Sequence, residues 1–356
     1  MKKVTYLALL CICGNAQGGL PLFESDDVMD ITIEAPMKEL VRKRLKKPDF
    51  EAIIRYTDGS GRIFSLPATL SSRGNARLEA CDFPPLSIVF QGDTTAGTPF
   101  AGQHKLKVVT RCRRSKLAEA WLLQEYGIYR AYNAITDYSY RVRRSEMTFL
   151  DSSDDRWVLE MPAFIIESTN EVADRLGRVQ VRPPEVRVEQ FELEESTNYV
   201  LFQYLIGNTD FALKRGPSGE GCCHNGRVLA QEGSQDNWIV LPYDFDQAGM
   251  IRTDYAVPDD RLGIRDVTRR LYRGFCWQND SLPEAVSRFN KSRPALGDII
   301  IPDEISAGRQ KKMRRYIDAF YDIINNPKEL QSRLTDNCRG GADIVVRKTS
   351  PAITGQ

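Results

Sequence analysis

The sequence has very little histidine and no long apolar segment, and both shortages exclude classes of function. Its 356 residues include only His104 and His224, and no cysteines are spaced as a CxxC pair. Zinc sites usually need such ligands, so a zinc site is not favoured. A Ser-His-Asp triad would have to use one of these two histidines, and neither lies in a recognisable motif. Past the N terminus no segment stays apolar for roughly eighteen residues, so we predict no stable membrane insertion.

Net charge is also nearly absent. Lys and Arg number 49 against 48 Asp and Glu, which leaves a formal charge of +1. No overall positive field attracts nucleic acid, and we predict no nucleic-acid partner. The densest basic cluster, KELVRKRLKK at residues 38–47, is interpreted as the solvated face of a surface helix, with a site for an anionic ligand as the alternative.

Several phosphate-binding and catalytic motifs are missing. The sequence has no GxxxxGK[ST] loop, no GxGxxG after a strand, no HExxH and no GxSxG. GPSGEG at residues 216–221 is rich in glycine, but it precedes two cysteines and does not open an apolar helix. We therefore predict a flexible loop there, and acyl transfer is disfavoured.

The N terminus has the pattern of a secretory signal. Two lysines precede an apolar run from Val4 to Cys13, and small residues follow at Gly14 and Ala16. This pattern predicts a signal peptide over residues 1–16 and a secreted or periplasmic protein. The last residues, 341–356, are expected to be frayed.

Cysteine usage agrees with export. Outside the predicted signal, the cysteines are Cys81, Cys112, Cys222, Cys223, Cys276 and Cys338. An even number in an oxidising compartment predicts three disulfide bonds, although the sequence alone does not select the pairing. The adjacent Cys222 and Cys223 are expected to bond to different partners.

The two halves of the chain differ in character. The first half is predicted to contain strands at 31–35, 51–57, 62–66, 85–90, 105–110 and 157–168, with one helix from Ser115 to Gly127. After the break at 182–184, helical patterns predominate: one ending at Gly207 and others at 283–290, 303–326 and 327–334. This order predicts an α+β protein with two lobes, a strand-rich lobe over 27–168 and a helix-rich lobe over 185–340.

Three aspartates follow predicted elements and are candidates for chemistry. WIVLPYDFDQAG at 238–249 is a strand that would deliver Asp244 and Asp246 to its end, and GNTD at 207–210 places Asp210 on the loop after a helix. Phosphoryl transfer needs a carboxylate that orients a hydroxyl and oxygen ligands for Mg²⁺ or Mn²⁺, which this set could supply. The alternative is that each aspartate only stabilises a local turn.

Five segments, taken in order, resemble the spore-coat CotH kinase family. They are SSRGNARLEACDFPPLSIVF at 71–90, PFAGQHKLKVVTRC at 99–112, PAFIIES at 162–168, YLIGNTDFALK at 204–214 and WIVLPYDFDQAG at 238–249. The resemblance implies a two-lobed protein-kinase-like fold that binds ATP with Mg²⁺ or Mn²⁺. It also implies transfer of the γ-phosphoryl group to a hydroxyl of a protein substrate.

The same resemblance implies roles for individual residues. Asp210 would receive or orient the proton of the acceptor hydroxyl, Asp244 would bind the metal, and Asp246 would be a second ligand. Glu167 would lie near the nucleotide base or serve only as a strand end. Arg73 would meet phosphate or hold its loop, while Asn208 would shape the loop of Asp210.

The sequence also departs from the family. Pro84 and Pro85 stand where members often have two lysines, so Lys105 or Lys107 would have to supply the phosphate-binding cation. Lys214 and Arg215 occupy the places of an expected asparagine, so Asn225 is the candidate for the second metal site, and its neighbour His224 is expected at the surface.

Two other hypotheses stay open, the first of them because of these departures. One is a catalytically inactive pseudokinase that acts as a secreted binding or assembly module. The other is a metal-dependent phosphohydrolase that uses Asp244 and Asp246 with water as the acceptor.

Overall fold

A computed structural model describes residues 21–340, except for residue 59 and residues 218–219. The predicted signal peptide, 1–16, and the predicted frayed tail, 341–356, lie outside the described residues. Among the helices of the described part, none combines the length and apolar character needed to cross a membrane.

Seven strands form a closed barrel in the first half of the chain, in the order β1-β2-β3-β4-β5-β7-β6. Their alternating burial places one side of each strand in a shared apolar interior that includes Ile31, Ile88 and Met161. The strands are β1 (Met29–Ala35), β2 (Phe50–Thr57), β3 (Ile63–Ser72), β4 (Leu86–Phe90), β5 (Lys105–Thr110), β6 (Val142–Asp151) and β7 (Asp154–Ile166).

The barrel closes through a strand that the sequence did not reveal. β6 pairs antiparallel with β7 and also parallel with β1, from Met29 opposite Ser145 to Ala35 opposite Asp151. The buried positions of β6 include Arg143, Ser145 and Asp151. Because polar residues occupy these buried positions, the sequence of β6 does not show the alternation of polar and apolar residues that identifies a strand. The prediction of a two-lobed protein-kinase-like fold is therefore wrong: the protein is α+β, but its strands join into a closed mixed barrel.

The remaining elements form a second sheet and a set of helices. The sheet contains β8 (Val179–Val181), β9 (Gly226–Ala230) and β10 (Ile239–Pro242), all antiparallel. The helices are α1 (Met37–Arg42), α2 (Ala76–Ala80), α3 (Lys116–Asn133), α4 (Thr169–Arg175), α5 (Leu193–Ile206), α6 (Leu282–Ile300), α7 (Ala307–Ile324) and α8 (Pro327–Leu330). Short 3₁₀ turns lie at Pro21–Phe23, Arg44–Lys46, Val188–Gln190, Asp260–Leu262 and Cys276–Ser281, and a π turn at Gln331–Thr335.

A second apolar core lies outside the barrel, around α3, α5 and the second sheet. Every residue of α5 from Ser196 to Ile206 is buried, so this helix passes through the middle of that core. The boundaries predicted at 27–168 and 185–340 stay a prediction.

Two glycines show how helices end or pack here. α5 ends at Gly207, as predicted, because Gly207 adopts the left-handed conformation with φ 66° that stops a helix. Gly127 does not end α3, which continues to Asn133. A Cβ at Gly127 would lie 2.8 Å from the carbonyl oxygen of Ile300, so this glycine lets α6 approach α3 closely.

Three disulfides are present within the described residues: Cys81–Cys112, Cys276–Cys338 and Cys222–Cys223. The prediction that all six cysteines are bonded is confirmed. The expectation that Cys222 and Cys223 bond to different partners is wrong, because these neighbours bond to each other. Their shared bridge constrains one short segment and does not connect it to two distant places.

Candidate functional site

One large cavity, of about 880 Å³, lies where the barrel meets the second sheet. Its walls come from β5, α2, α3 and the loops that follow α5 and β10. Six of the eight residues proposed from the sequence line it, although they are far apart along the chain: Arg73, Lys107, Asp210, Asn225, Asp244 and Asp246.

Asp244 occupies an unusual backbone position on this wall. It lies two residues after the end of β10, and its φ of 64° lies in the left-handed region that non-glycine residues rarely adopt. Its backbone N–H donates to the Tyr129 hydroxyl at 2.9 Å, and the next residue, Phe245, is fully buried. Burial and the adjacent charge of Asp246 raise the pKa of the Asp244 carboxyl to about 7. The fold thus holds this acid in a place that opposes its ionisation.

Asp246 belongs to a buried network with one arginine and a second acid. Arg77 of α2 donates through Nε to Asp246 Oδ2 at 2.8 Å and through Nη2 to Glu125 of α3. The Tyr255 hydroxyl donates to the same Asp246 oxygen at 3.0 Å. Burial and the nearby Asp246 raise the pKa of Glu125, although the Arg77 charge opposes that shift. Three carboxylates therefore share a region in which Arg77 is the cation that touches two of them.

Asp210 is oriented by several hydrogen bonds just after α5. Its backbone N–H donates to Asn208 Oδ1 at 2.9 Å, so Asn208 does shape this loop. Asn225 Nδ2 donates to Asp210 Oδ2 at 2.8 Å, and Gln247 Nε2 donates to the same oxygen at 2.8 Å. His224 Nε2 lies 2.9 Å from Asp210 Oδ1. The carboxylate is consequently fixed in direction.

His224 is not the surface residue that the sequence suggested. Its side chain is 14% exposed and lines the cavity beside the Cys222–Cys223 bridge. Two backbone hydrogen bonds of 3.1 Å with Ala212 hold its segment against the loop of Asp210. Burial alone would lower the pKa of His224, but the hydrogen bond to Asp210 and the charge of that carboxylate outweigh burial, so the pKa is raised.

Positively charged groups also line the cavity. Lys107 of β5 lies 5.3 Å from the centre of the Tyr140 ring and 6.0 Å from that of Tyr243. Burial, together with the charges of Arg73 and Arg227, lowers the pKa of Lys107 to about 7. Arg227 lies over the Tyr243 ring at 4.3 Å, and the half-buried Arg73 forms no ion pair with any described residue. These cations repel one another, and a bound anion would relieve that repulsion.

The other two candidate residues lie elsewhere. Lys105, at the start of β5, is exposed and is not part of the cavity wall. Glu167 is fully buried outside the cavity, where Arg175 donates to both of its oxygens at 3.0 Å and the Arg141 backbone N–H donates to one of them. These contacts give Glu167 a structural role at the end of β7.

The oxygen donors near Asp244 suit a small divalent cation better than a zinc ion. No group of three or more His, Cys, Asp and Glu side chains in the described part of the chain is arranged to hold a metal by itself. Magnesium, however, usually takes one or two carboxylates and completes its shell with water and phosphate oxygens. Asp244 has no side-chain hydrogen bond to another described residue, and a cation would offset the burial and the repulsion by Asp246 that together raise its pKa. Asp244 and Asp246 are oxygen donors of the kind that such a cation takes, and both line the cavity together with Asn225.

Sequence reasoning missed two polar residues that shape the site, Arg77 and Glu125. A signal for Glu125 was present: Leu117, Trp121 and Glu125 are each four residues apart, so an acid continues the apolar stripe of α3. A charged residue in that position is buried and needs a partner. Arg77 lies in α2, before β4, and had no such signal, because α2 is too short to show a pattern.

Comparison with known proteins adds no identity: no protein-family model matches the chain, and no curated protein matches it either.

Proposed function

We propose that the cavity binds a nucleoside triphosphate, ATP in the first instance, together with Mg²⁺ or Mn²⁺, and transfers the γ-phosphoryl group to a hydroxyl of a protein substrate. One observation carries this proposal: Asp210, Asp244 and Asp246 line the same cavity as a cluster of cations that includes Lys107 and Arg73. Phosphoryl transfer depends mainly on positioning and charge neutralisation, which such a site supplies.

The cations suit the phosphates. Lys107 has its pKa lowered to about 7 because it is buried beside Arg73 and Arg227, so a bound polyanion would favour its charged form. Arg73, which is half-buried and not engaged in an ion pair with a described residue, would add planar donors to phosphate oxygens. These residues take the place of the lysine pair that the sequence lacks at Pro84 and Pro85.

The acids suit the cation and the acceptor. A bound divalent ion would supply neutralisation of the charge that develops on the phosphates. Asp244 would hold it first, since Asp246 already accepts from Arg77 and Tyr255. Asp210 would accept the proton of the attacking hydroxyl. A carboxylate offers about four acceptor positions, and His224, Asn225 and Gln247 use three of them, which leaves one for the substrate.

The resemblance of five ordered segments to the spore-coat CotH kinase family gives a second ground for this chemistry, and the proposal does not extend to that family's fold.

The disulfides are compatible with an oxidising compartment, so we propose that the protein is outside the cytosol, secreted or periplasmic.

A binding module without transfer is the alternative, and one observation favours it. Three side chains already donate to or contact the Asp210 carboxylate, which is the arrangement expected of a residue that holds a loop together. In that case the cavity would bind its nucleotide or cation and catalyse nothing.

Calorimetry with ATP in the presence of Mg²⁺ or Mn²⁺ tests the proposal, using the wild-type protein, Asp244→Asn and the control Asp155→Asn at an exposed site. We expect metal-dependent binding that weakens at least about tenfold in Asp244→Asn and is unchanged in the control. No binding to the wild-type protein would refute both functions.

A second variant separates the two functions. Asp210→Asn should still bind ATP but lose transfer of radiolabelled γ-phosphate to protein. If the wild-type protein binds ATP yet transfers no label to itself or to proteins of the secreted fraction, the binding module is favoured.

A further inference from the structure

A second cavity, of about 330 Å³, opens beside α1 and the first half of β7. Within the described residues, it shares no wall residue with the large cavity. Leu159 and Met161, which form part of its floor, also belong to the apolar interior of the barrel. The cavity is therefore an opening onto the barrel core, a place where barrels commonly receive small ligands.

The floor of this cavity is apolar and partly aromatic. Trp157 is only partly buried although it packs against the barrel core, which leaves part of its indole facing the opening. The opening leaves apolar surface of these side chains in contact with solvent. An apolar ligand that covers this surface would remove it from water, which favours binding. The apolar wall residues are Val41, Phe83, Cys112, Trp157, Leu159 and Met161.

The rim carries an excess of positive charge. Four cations contribute to the wall against a single acid, Asp82. Lys38, Arg111 and Arg113 each form an ion pair with an acid outside the cavity, namely Asp154, Glu119 and Asp254. Arg114 is exposed and forms no ion pair with a described residue. Arg114 is thus the cation most available to an incoming anion.

The Cys81–Cys112 disulfide fixes these two features next to each other. It joins the segment of Asp82 and Phe83 to the segment of the three arginines, and the Asp82 backbone N–H donates to the Cys112 carbonyl at 2.9 Å. The apolar floor and the cationic rim are therefore held in one arrangement before any ligand arrives, which reduces the entropy lost on binding.

We propose that this cavity binds a small carboxylic acid with an apolar tail, in the class of medium-chain fatty acids. The tail would cover Trp157 and the floor beneath it, and the carboxylate would meet the guanidinium of Arg114, whose planar donors match a carboxylate. A volume of about 330 Å³ accommodates a short chain and excludes a large lipid. The site is independent of the proposed phosphoryl transfer.

Octanoate is the probe for this site, measured by titration calorimetry against octylamine and octanol, which share the tail but not the negative charge. We expect saturable binding of octanoate at one site per chain, and binding at least about tenfold weaker for octylamine. Arg114→Glu should weaken octanoate binding by about tenfold or more. The matched control is Arg314→Glu, an exposed arginine of α7 outside the cavity wall, which should change nothing.

A second variant tests the floor. Trp157→Ala removes the aromatic surface and should also weaken octanoate about tenfold, while Asp244→Asn in the large cavity should leave it unchanged. The proposal is overturned if the wild-type protein shows no saturable binding, if octylamine binds as well as octanoate, or if Arg114→Glu and the control behave alike.

Discussion

Glu167 and Asp244 both lie just beyond the end of a buried strand, but the protein surrounds them differently. Glu167 receives two hydrogen bonds from Arg175 and one from a backbone N–H, so its charge is balanced within the fold. Asp244 faces a cavity, has Asp246 and Glu125 nearby, and has its pKa raised to about 7. Similar positions in the sequence therefore have different roles. An acid whose charge is paired within the fold stabilises the structure. An acid without such a partner lowers the stability and is available to a ligand.

The largest effect is expected where one arginine balances two acids. Arg77→Met leaves both Glu125 and Asp246 buried without their cation and should lower the free energy of unfolding by about 4 kcal/mol. Urea denaturation measures the change, with Arg314→Met as an exposed control expected to stay within about 0.5 kcal/mol. A loss as small as that of the control would mean that these acids are neutral in the folded protein.

Arg175→Met should have the next largest effect, because it leaves the single acid Glu167 buried without a cation. We expect a loss of about 3 kcal/mol in urea denaturation. The double variant Arg175→Met/Glu167→Gln should recover part of this loss, since the uncompensated charge is then gone. Additive losses in the double variant would show that Glu167 does not depend on Arg175 for its charge.

Asp244→Asn should change stability in the opposite direction. The folded protein holds the Asp244 proton up to about pH 7, whereas the unfolded chain releases it near its ordinary value of 3.8. Asp244 therefore contributes stability below about pH 4 that is lost as the pH rises through about 7. At pH 8 the variant should be more stable than the wild type by at least about 2 kcal/mol, since each pKa unit corresponds to about 1.4 kcal/mol.

Denaturation curves at pH 5 and pH 8 check this expectation, and Asp155→Asn is the exposed control. Addition of Mn²⁺ to the wild-type protein at pH 8 should stabilise it as the substitution does, and should have less effect on the variant. A variant that is less stable than the wild type at pH 8 would mean that Asp244 is balanced in the same way as Glu167.

His224→Gln should have the smallest effect on stability. Glutamine can still donate to Asp210, so the loss should stay below about 1 kcal/mol in urea denaturation. His224→Leu removes that donor and should cost more. Equal losses in the two variants would show that the contact with Asp210 contributes nothing beyond packing.

The sequence located the acids of the site because each follows a clear element. Asp210 lies on the loop that begins at Gly207, the residue that ends α5, and Asp244 and Asp246 come after β10. Arg77, the cation that pairs with Asp246, was not predictable, because its other partner Glu125 lies on a different helix and only the tertiary structure brings the two together.

The closed barrel was not predictable for a related reason. Arg143 is buried in β6 because the carbonyls of Leu22 and Asp27 accept its hydrogen bonds, and Asp151 accepts one from the distant Lys38 backbone N–H as well as from the neighbouring Ser153. Such long-range partners let polar residues occupy interior positions of a strand, so the periodic pattern that identifies strands fails there.

The parallel pairing of β1 with β6 also sets an order of events during folding. β1 lies near the start of the described chain, whereas its partner segment, Ser145 to Asp151, comes after the four strands β2 to β5 and the three helices α1 to α3. On a ribosome, the barrel cannot close until that distant segment has emerged, and until then the edge of β1 stays open to other chains. Ring closure is therefore expected to be a slow step in folding, and the nascent protein is most prone to association before it.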